Sequence, residues 1–169
     1  MSESIEVILA DLANPVHAAA VGDVIEAYAR EVMPAGLSSD ARQFLISGLR
    51  AHPTHLVFLA RQGEQTLGAA VCFIGFSTFA ARPLINIHDL AVLPHTRRAG
   101  VGRALLAAIE TRARELGCVK ITLEVRDDNL PAQQLYQNSG YCSTDSAAAS
   151  AQMLFWHKRV EGGAVGRGE

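Results

Sequence analysis

The run Arg97-Arg98-Ala99-Gly100-Val101-Gly102 constrains this chain more than any other stretch. It stands between a strand-like segment, residues 84–92, and a helix-like segment that runs to residue 116 and is closed by Gly117. A strand that ends in a glycine-bearing turn and then opens a helix leaves the turn amides and the first helical amides without partners. Those amides can converge on an anion. The charges point the same way. A helix N-terminus is stabilised by nearby acids, yet this one carries Arg97, Arg98 and Arg103. Cations there are unfavourable unless something negative binds among them. Gly100 and Gly102 lack side chains, so a bulky anion can approach the backbone. The alternative is an ordinary turn with solvated arginines, because a six-residue motif alone has low specificity.

Two familiar phosphate sites do not fit. No Gly-x-x-x-x-Gly-Lys-[Ser/Thr] string occurs, so the loop is not a P-loop. A dinucleotide fingerprint needs a third small residue three places after Gly102, where Leu105 stands. It also wants its glycines in the first strand–helix unit, and here they lie past the middle.

Periodicity gives the layout. Strands are expected at 5–9, 55–61, 66–74, 84–92, 119–125 and 152–159. Helices are expected at 14–31, 101–116, 131–138 and, capped by Ser39 or Asp40, through Phe44, Leu45 and Leu49. Residues 62–64 form a hairpin turn. Val119, Ile121, Leu123 and Val125 alternate with Lys120, Thr122 and Glu124, as in a half-buried strand. The order β-α-α-β-β-β-α-β-α-β places the chain in the α/β (α+β) class. Residues 1–160 form a single domain and the glycine-rich residues 161–169 a frayed tail.

Arg97, Gly100 and Gly102 satisfy the pattern [Gln/Arg]-x-x-Gly-x-[Gly/Ala]. It resembles the pyrophosphate loop of the GNAT acyltransferases. The flanks extend the likeness. Asp89, Leu90, Ala91, Val92, Leu93 and Pro94 look like the family's strand-end signature. Asn129, Ala132, Tyr136, Gly140 and Tyr141 are similar to its second signature, Asn-x-x-Ala-x-x-x-Tyr-x-x-x-Gly-[Phe/Tyr]. The resemblance implies a mixed, mostly antiparallel central sheet with helices on both faces and a splayed central strand. It implies acetyl-CoA as co-substrate, its pyrophosphate on Arg97, Arg98, Ala99, Gly100, Val101, Gly102 and Arg103. The thioester and pantetheine would pair with Leu90, Ala91 and Val92 as a pseudo-strand, with a backbone N–H near Val92 facing the oxyanion. Asn129 and Ala132 would contact the cofactor, or Asn129 would cap the following helix. Tyr136 would protonate the departing thiolate.

The base position carried over from the resemblance is His88. The stretch from Gly75 to Val92 is most similar to the polyamine/diamine (spermidine/spermine) branch, where Glu-Asp usually stands in place of His88-Asp89. Histidine can accept a proton near neutral pH, but it holds no fixed negative charge to attract a polycation. Strand alternation predicts that His88 and Asp89 face opposite sides of the sheet. A hydrogen-bonded structural histidine is the alternative for His88. Asp23, Glu26, Glu31 and Asp40, on or between the first two helices, read mostly as a solvated face.

Composition narrows the rest. With 15 Lys plus Arg against 17 Asp plus Glu, the net charge of −2 gives no general nucleic-acid footprint. No apolar run reaches the length of a membrane span, and the first residues lack a signal peptide's basic start. Cys72, Cys118 and Cys142 are scattered and read as reduced thiols. The histidines show no metal-ligand spacing, so no metal is expected. The expectation is a cytoplasmic N-acetyltransferase acting on a small-molecule amine by direct attack, with a homodimer allowed. A protein lysine or N-terminus is the second choice of acceptor, and a non-catalytic acyl-CoA sensor the alternative from another class.

Overall fold

The computed structural model describes residues 4–143. Five strands, β1 (Glu6–Leu9), β2 (His55–Gln62), β3 (Gln65–Ser77), β4 (Arg82–Val92) and β5 (Ile121–Leu123), form one sheet in the order β1-β2-β3-β4-β5. Every pair is antiparallel except β4 with β5. Parallel neighbours need a crossover, and α3 (Val101–Glu115) supplies it. The expected strand at 152–159 and the tail at 161–169 lie outside the described residues.

Helices cover both faces. Alternation along β2 sends Leu56, Phe58 and Ala60 to the face that packs Val101, Leu105, Leu106 and Ile109 of α3. It sends Val57 and Leu59 to the other face, against Val21, Val24 and Ile25 of α1 (Pro15–Val32) and Leu45, Ile46 and Leu49 of α2 (Ser39–Ala51). A short α4 (Leu130–Asn138) adds Leu135 and Tyr136 beside α3. The helix starts follow capping rules. Asn14 accepts from Val16 N–H and Ser38 from Ala41 N–H. The cap of α2 is therefore Ser38, one residue before Ser39 and two before Asp40, the two caps read from the sequence.

Two departures from the sequence reading matter for function. The register between β3 and β4 runs Val71↔Asp89 and then Cys72↔Ile87, which leaves His88 unpaired as a one-residue bulge. The β4–β5 ladder covers only Ile85–Ile87 against Ile121–Leu123. The strand expected over 119–125 is therefore three residues long, and Val119 and Val125 at its ends are exposed. Strict alternation described the chain's local tendency. A strand's length is decided by its partner, and beyond the bulge β4 no longer runs alongside. The result is a gap between β4 and β5 that begins at His88.

Candidate active site

The bulge overturns the expectation for His88 and Asp89. Ile85 and Ile87 lie on the α3 face, and so do Leu90 and Val92. Asp89 pairs with Val71, which with Ala91 belongs to the α1 face. His88 sits edge-on to Phe73 on that same face, ring centroids 5.7 Å apart. The extra residue shifts the alternation by one, so His88 and Asp89 both face α1 instead of opposite sides. His88 is exposed. Asp89 is half-buried, and burial pushes its carboxyl above the usual carboxylate range while neighbouring His88 pulls it down.

Asp89 also raises the phenol of Tyr28 on α1, after burial and ahead of Glu31. Tyr28 in turn adds to the burial that raises Tyr136 of α4. Two tyrosines from opposite faces are thus within electrostatic reach of each other, with Asp89 acting on the first. The Tyr136 hydroxyl makes no hydrogen bond among the described residues, and it is not sealed off as the Tyr141 hydroxyl is. In the sequence Tyr28 is only one residue of the helix expected at 14–31. Nothing local marks it, because its relevance comes from a contact with a distant strand.

The open edge of β4 offers backbone groups. Ile85 N–H donates across to Lys120 O, whereas Leu93 N–H donates to Leu67 O of β3. Alternation then turns the Leu90 and Val92 groups to the gap and the Ala91 groups to β3. A Cβ on Gly68 of β3 would meet Ala91 O at 2.5 Å. Of the three residues expected to pair with a pantetheine, Ala91 therefore has its backbone spent in the sheet. The Val92 carbonyl accepts from Arg97 Nε at 3.2 Å, leaving its N–H toward the gap.

Past Leu93, a 3₁₀ turn (Pro94–Thr96) leads into the loop, which contains a left-handed Arg98 (φ +63°) and Gly100 (φ +90°). The first helical bond is Ala104 N–H to Gly100 O. The amides of Arg98, Ala99, Gly100, Val101, Gly102 and Arg103 donate to nothing among the described residues. This unbroken run of free donors at a helix N-terminus suits a diphosphate, and the side chains of Arg98 and Arg103 make no ion pair among the described residues. Gly100 has open space where a Cβ would stand. Gly102 does not: its Cβ would lie 2.7 Å from Leu135 Cδ2. The missing side chain at Gly102 serves the approach of α3 to α4, and the residue offers its amide to an anion. Asn129 Oδ1 caps α4 by accepting Ala132 N–H at 3.2 Å. The capping alternative for Asn129 is the one the structure shows, and the Ala132 amide is already used.

The carboxylates of the first two helices are not all solvated. Glu26 accepts from Arg30 at 2.7 Å, Arg42 at 2.9 Å and Leu37 N–H at 3.2 Å. The Arg30 bond, followed by the Leu37 N–H and the charge of Arg42, holds its carboxyl below the usual range against desolvation. Glu31 binds Arg97. Burial and then the Asp89 charge push the Cys72 thiol up to about 12, so it is no nucleophile at neutral pH. No group of three or more His, Cys, Asp or Glu that could hold a metal exists among the described residues. No helix there is long and apolar enough to cross a membrane.

Comparison with known proteins shows the family and the fold. Residues 22–141 match the model of the Acetyltransferase (GNAT) family. The chain is 28% identical over 124 residues to an uncharacterized N-acetyltransferase, YhfO, of Bacillus subtilis (strain 168), covering 73% of this chain and 83% of that one. It is 31% identical over 100 residues to the ribosomal protein bS18 alanine N-acetyltransferase of Escherichia coli (strain K12), covering 54% of this chain and 68% of the relative. Its fold matches an aminoglycoside acetyltransferase from an uncultured soil metagenomic sample, in complex with sisomicin. That match has a TM-score of 0.74 and 16% identity, over 93% of this chain and 97% of the other.

Proposed function

Since the chain belongs to the GNAT acetyltransferase family, and so is an acetyl-CoA-dependent N-acetyltransferase, we propose that its acceptor is the primary amine of a small cationic molecule, attacked directly in a ternary complex. The named relatives differ in acceptor, one taking a protein alanine and another holding an aminoglycoside. The acceptor is therefore argued from the site. The observation that carries the reading is the bulge at His88, which sets His88 and Asp89 on one face at the open edge of β4.

The roles follow from the chemistry. Asp89, ionised and half-buried, attracts the ammonium beside Tyr28. Exposed His88 takes the ammonium proton, directly or through water. The freed nitrogen attacks the thioester carbon, and charge moves to its oxygen, which faces the N–H of Leu90 or Val92. The carbon–sulfur bond then breaks, the Tyr136 hydroxyl supplies a proton to the sulfur, and the second proton of the attacking nitrogen, lost as the amide forms, restores the phenol. The loop from Arg98 to Arg103 holds the diphosphate and aligns the two reactants, which alone lowers the barrier greatly. Diamines and polyamines fit best among small amines, because one ammonium can stay beside Asp89 while another loses its proton to His88; Glu31 is already paired with Arg97.

Free-thiol release over a panel of amines tests this. The panel holds diamines, polyamines, an aminoglycoside, amino-acid amides and peptides with free alanine N-termini. Highest kcat/KM on a small diamine or polyamine is expected. Preference for the peptides would move the acceptor to a protein. CoA binding with no acceptor-dependent thiol release for any amine would leave a sensor.

A further inference from the structure

We infer that Glu31 is a positioning residue for the cofactor: through Arg97 it ties the last turn of α1 to the loop that receives the diphosphate. This rests on the reading of that loop given above. Arg97 Nη2 lies 2.6 Å from both Glu31 oxygens, and Arg97 Nε donates to Val92 O at 3.2 Å. One guanidinium thus joins three places: the end of β4, the end of α1 and the start of the loop.

Three observations separate this tie from an ordinary surface ion pair, which is worth little. Glu31 stands in the last turn of its helix, where an acid is unfavourable, so α1 itself gives no reason for a carboxylate there. The next residue, Arg98, holds a left-handed φ of +63°. A non-glycine residue keeps such a backbone only when its surroundings hold it. Arg97 is anchored on one side of Arg98, and α3 is anchored on the other by Val101 and Leu105 in the core. Finally, the tie assigns the loop's charges. Arg97 is neutralised by Glu31, which leaves Arg98 and Arg103 for the phosphates. Tyr28 lies three residues before Glu31 on the same side of α1, so the helix face that meets the acceptor also holds the cofactor loop.

The sign of the effect discriminates. Simple electrostatics says that removing Glu31 frees a cation beside the diphosphate and tightens CoA. The positioning role says that the loop loosens and CoA weakens. The measurement is calorimetric titration of the full chain and its Glu31→Gln and Glu31→Asp variants with CoA and, separately, with pantetheine, which lacks the nucleotide. Glu31→Gln is expected to weaken CoA roughly fivefold, the scale of a well-made, half-exposed ion pair. Pantetheine is expected to bind as in the native chain, with Glu31→Asp recovering part of the loss. Unchanged or tighter CoA binding by Glu31→Gln overturns the inference, as does an equal loss for pantetheine. If Glu31→Gln melts well below the native chain, the same comparison is made on Glu31→Asp, where weakened CoA with unchanged pantetheine is again required. Failure of the native chain to bind CoA would remove the reading of the loop itself, and this inference with it.

Discussion

At the scale of single residues, the second signature supplies two tyrosines with opposite fates. Tyr136 and Tyr141 stand 5.9 Å apart between ring centroids. The Tyr141 hydroxyl is buried with no hydrogen-bond partner among the described residues, and burial pushes its pKa up to about 12. A buried donor left unmade is destabilising, so Tyr141→Phe should raise stability, by up to about 1 kcal/mol in urea denaturation. The Tyr136 hydroxyl is not sealed off in this way. Tyr136→Phe should lower kcat about a hundredfold, the lower end for a lost general acid, with CoA affinity by calorimetry unchanged. An unaltered kcat would take Tyr136 out of the mechanism. Asp89 carries a pH prediction. Its folded carboxyl binds a proton more tightly than the unfolded chain's does. Its stabilising contribution is therefore full below the unfolded pKa and is lost as pH rises through the raised folded value. Asp89→Asn should be more stable than the native chain at neutral pH, should lose that advantage in acid, and should be nearly inactive. Equal melting temperatures across this range would mean that Asp89 is not desolvated.

At the scale of elements, the bulge decides the site, and it can be removed without disturbing the core pattern. If His88 is deleted, Ile87 is followed by Asp89 and Leu90. Those three then alternate as α3 face, α1 face, α3 face, which are the faces they occupy now. The deletion should therefore fold cooperatively, unlike a slip elsewhere in the strand that would turn every apolar side chain to the wrong side. It should also straighten β4, lengthen its pairing with β5 and close the gap. The expected outcome is a stable chain that no longer binds acetyl-CoA, whereas His88→Ala still does. A deletion variant that binds as well as His88→Ala would separate the bulge from the splay. The contact between α3 and α4 gives a second element-scale test. A Cβ at Gly102 must displace Leu135 before it meets anything else. Gly102→Ala, measured without ligand, should cost no more than about 1 kcal/mol, since the tip of Leu135 can shift and alanine favours a helix over glycine; a loss of cofactor affinity without destabilisation would show that the site, and not the packing, requires glycine.

At the scale of the whole molecule, what was legible in the sequence is what local rules govern. The turn with its free amides was readable because amides left open at a glycine turn before a helix are a property of adjacent residues. Helix positions and the capping by Asn129 were readable for the same reason. The truncated β5, the shared face of His88 and Asp89, the Tyr28–Asp89 approach and the Glu31–Arg97 tie were not. Each depends on a second segment far along the chain, 66 positions away for the ion pair. The site is assembled the same way: β4 and its bulge, the loop, α3, α4 and α1 each give one part, and no two adjacent elements suffice. A ligand that touches all of them should stabilise the entire fold cooperatively. At a hundred times its dissociation constant, a ligand that binds only the folded state adds about 2.7 kcal/mol. For a domain of this size each kcal/mol moves the melting temperature by roughly 2–4 °C. CoA at that excess should therefore raise the melting temperature by about 5–10 °C by calorimetry, in a single transition, and less at high salt because Arg98 and Arg103 are screened. NAD at equal concentration should leave it unmoved, since Leu105 stands where a dinucleotide loop needs a small residue. A shift with NAD equal to that with CoA would mean that the loop recognises any diphosphate, and the thioester specificity would have to come from the gap between β4 and β5 alone.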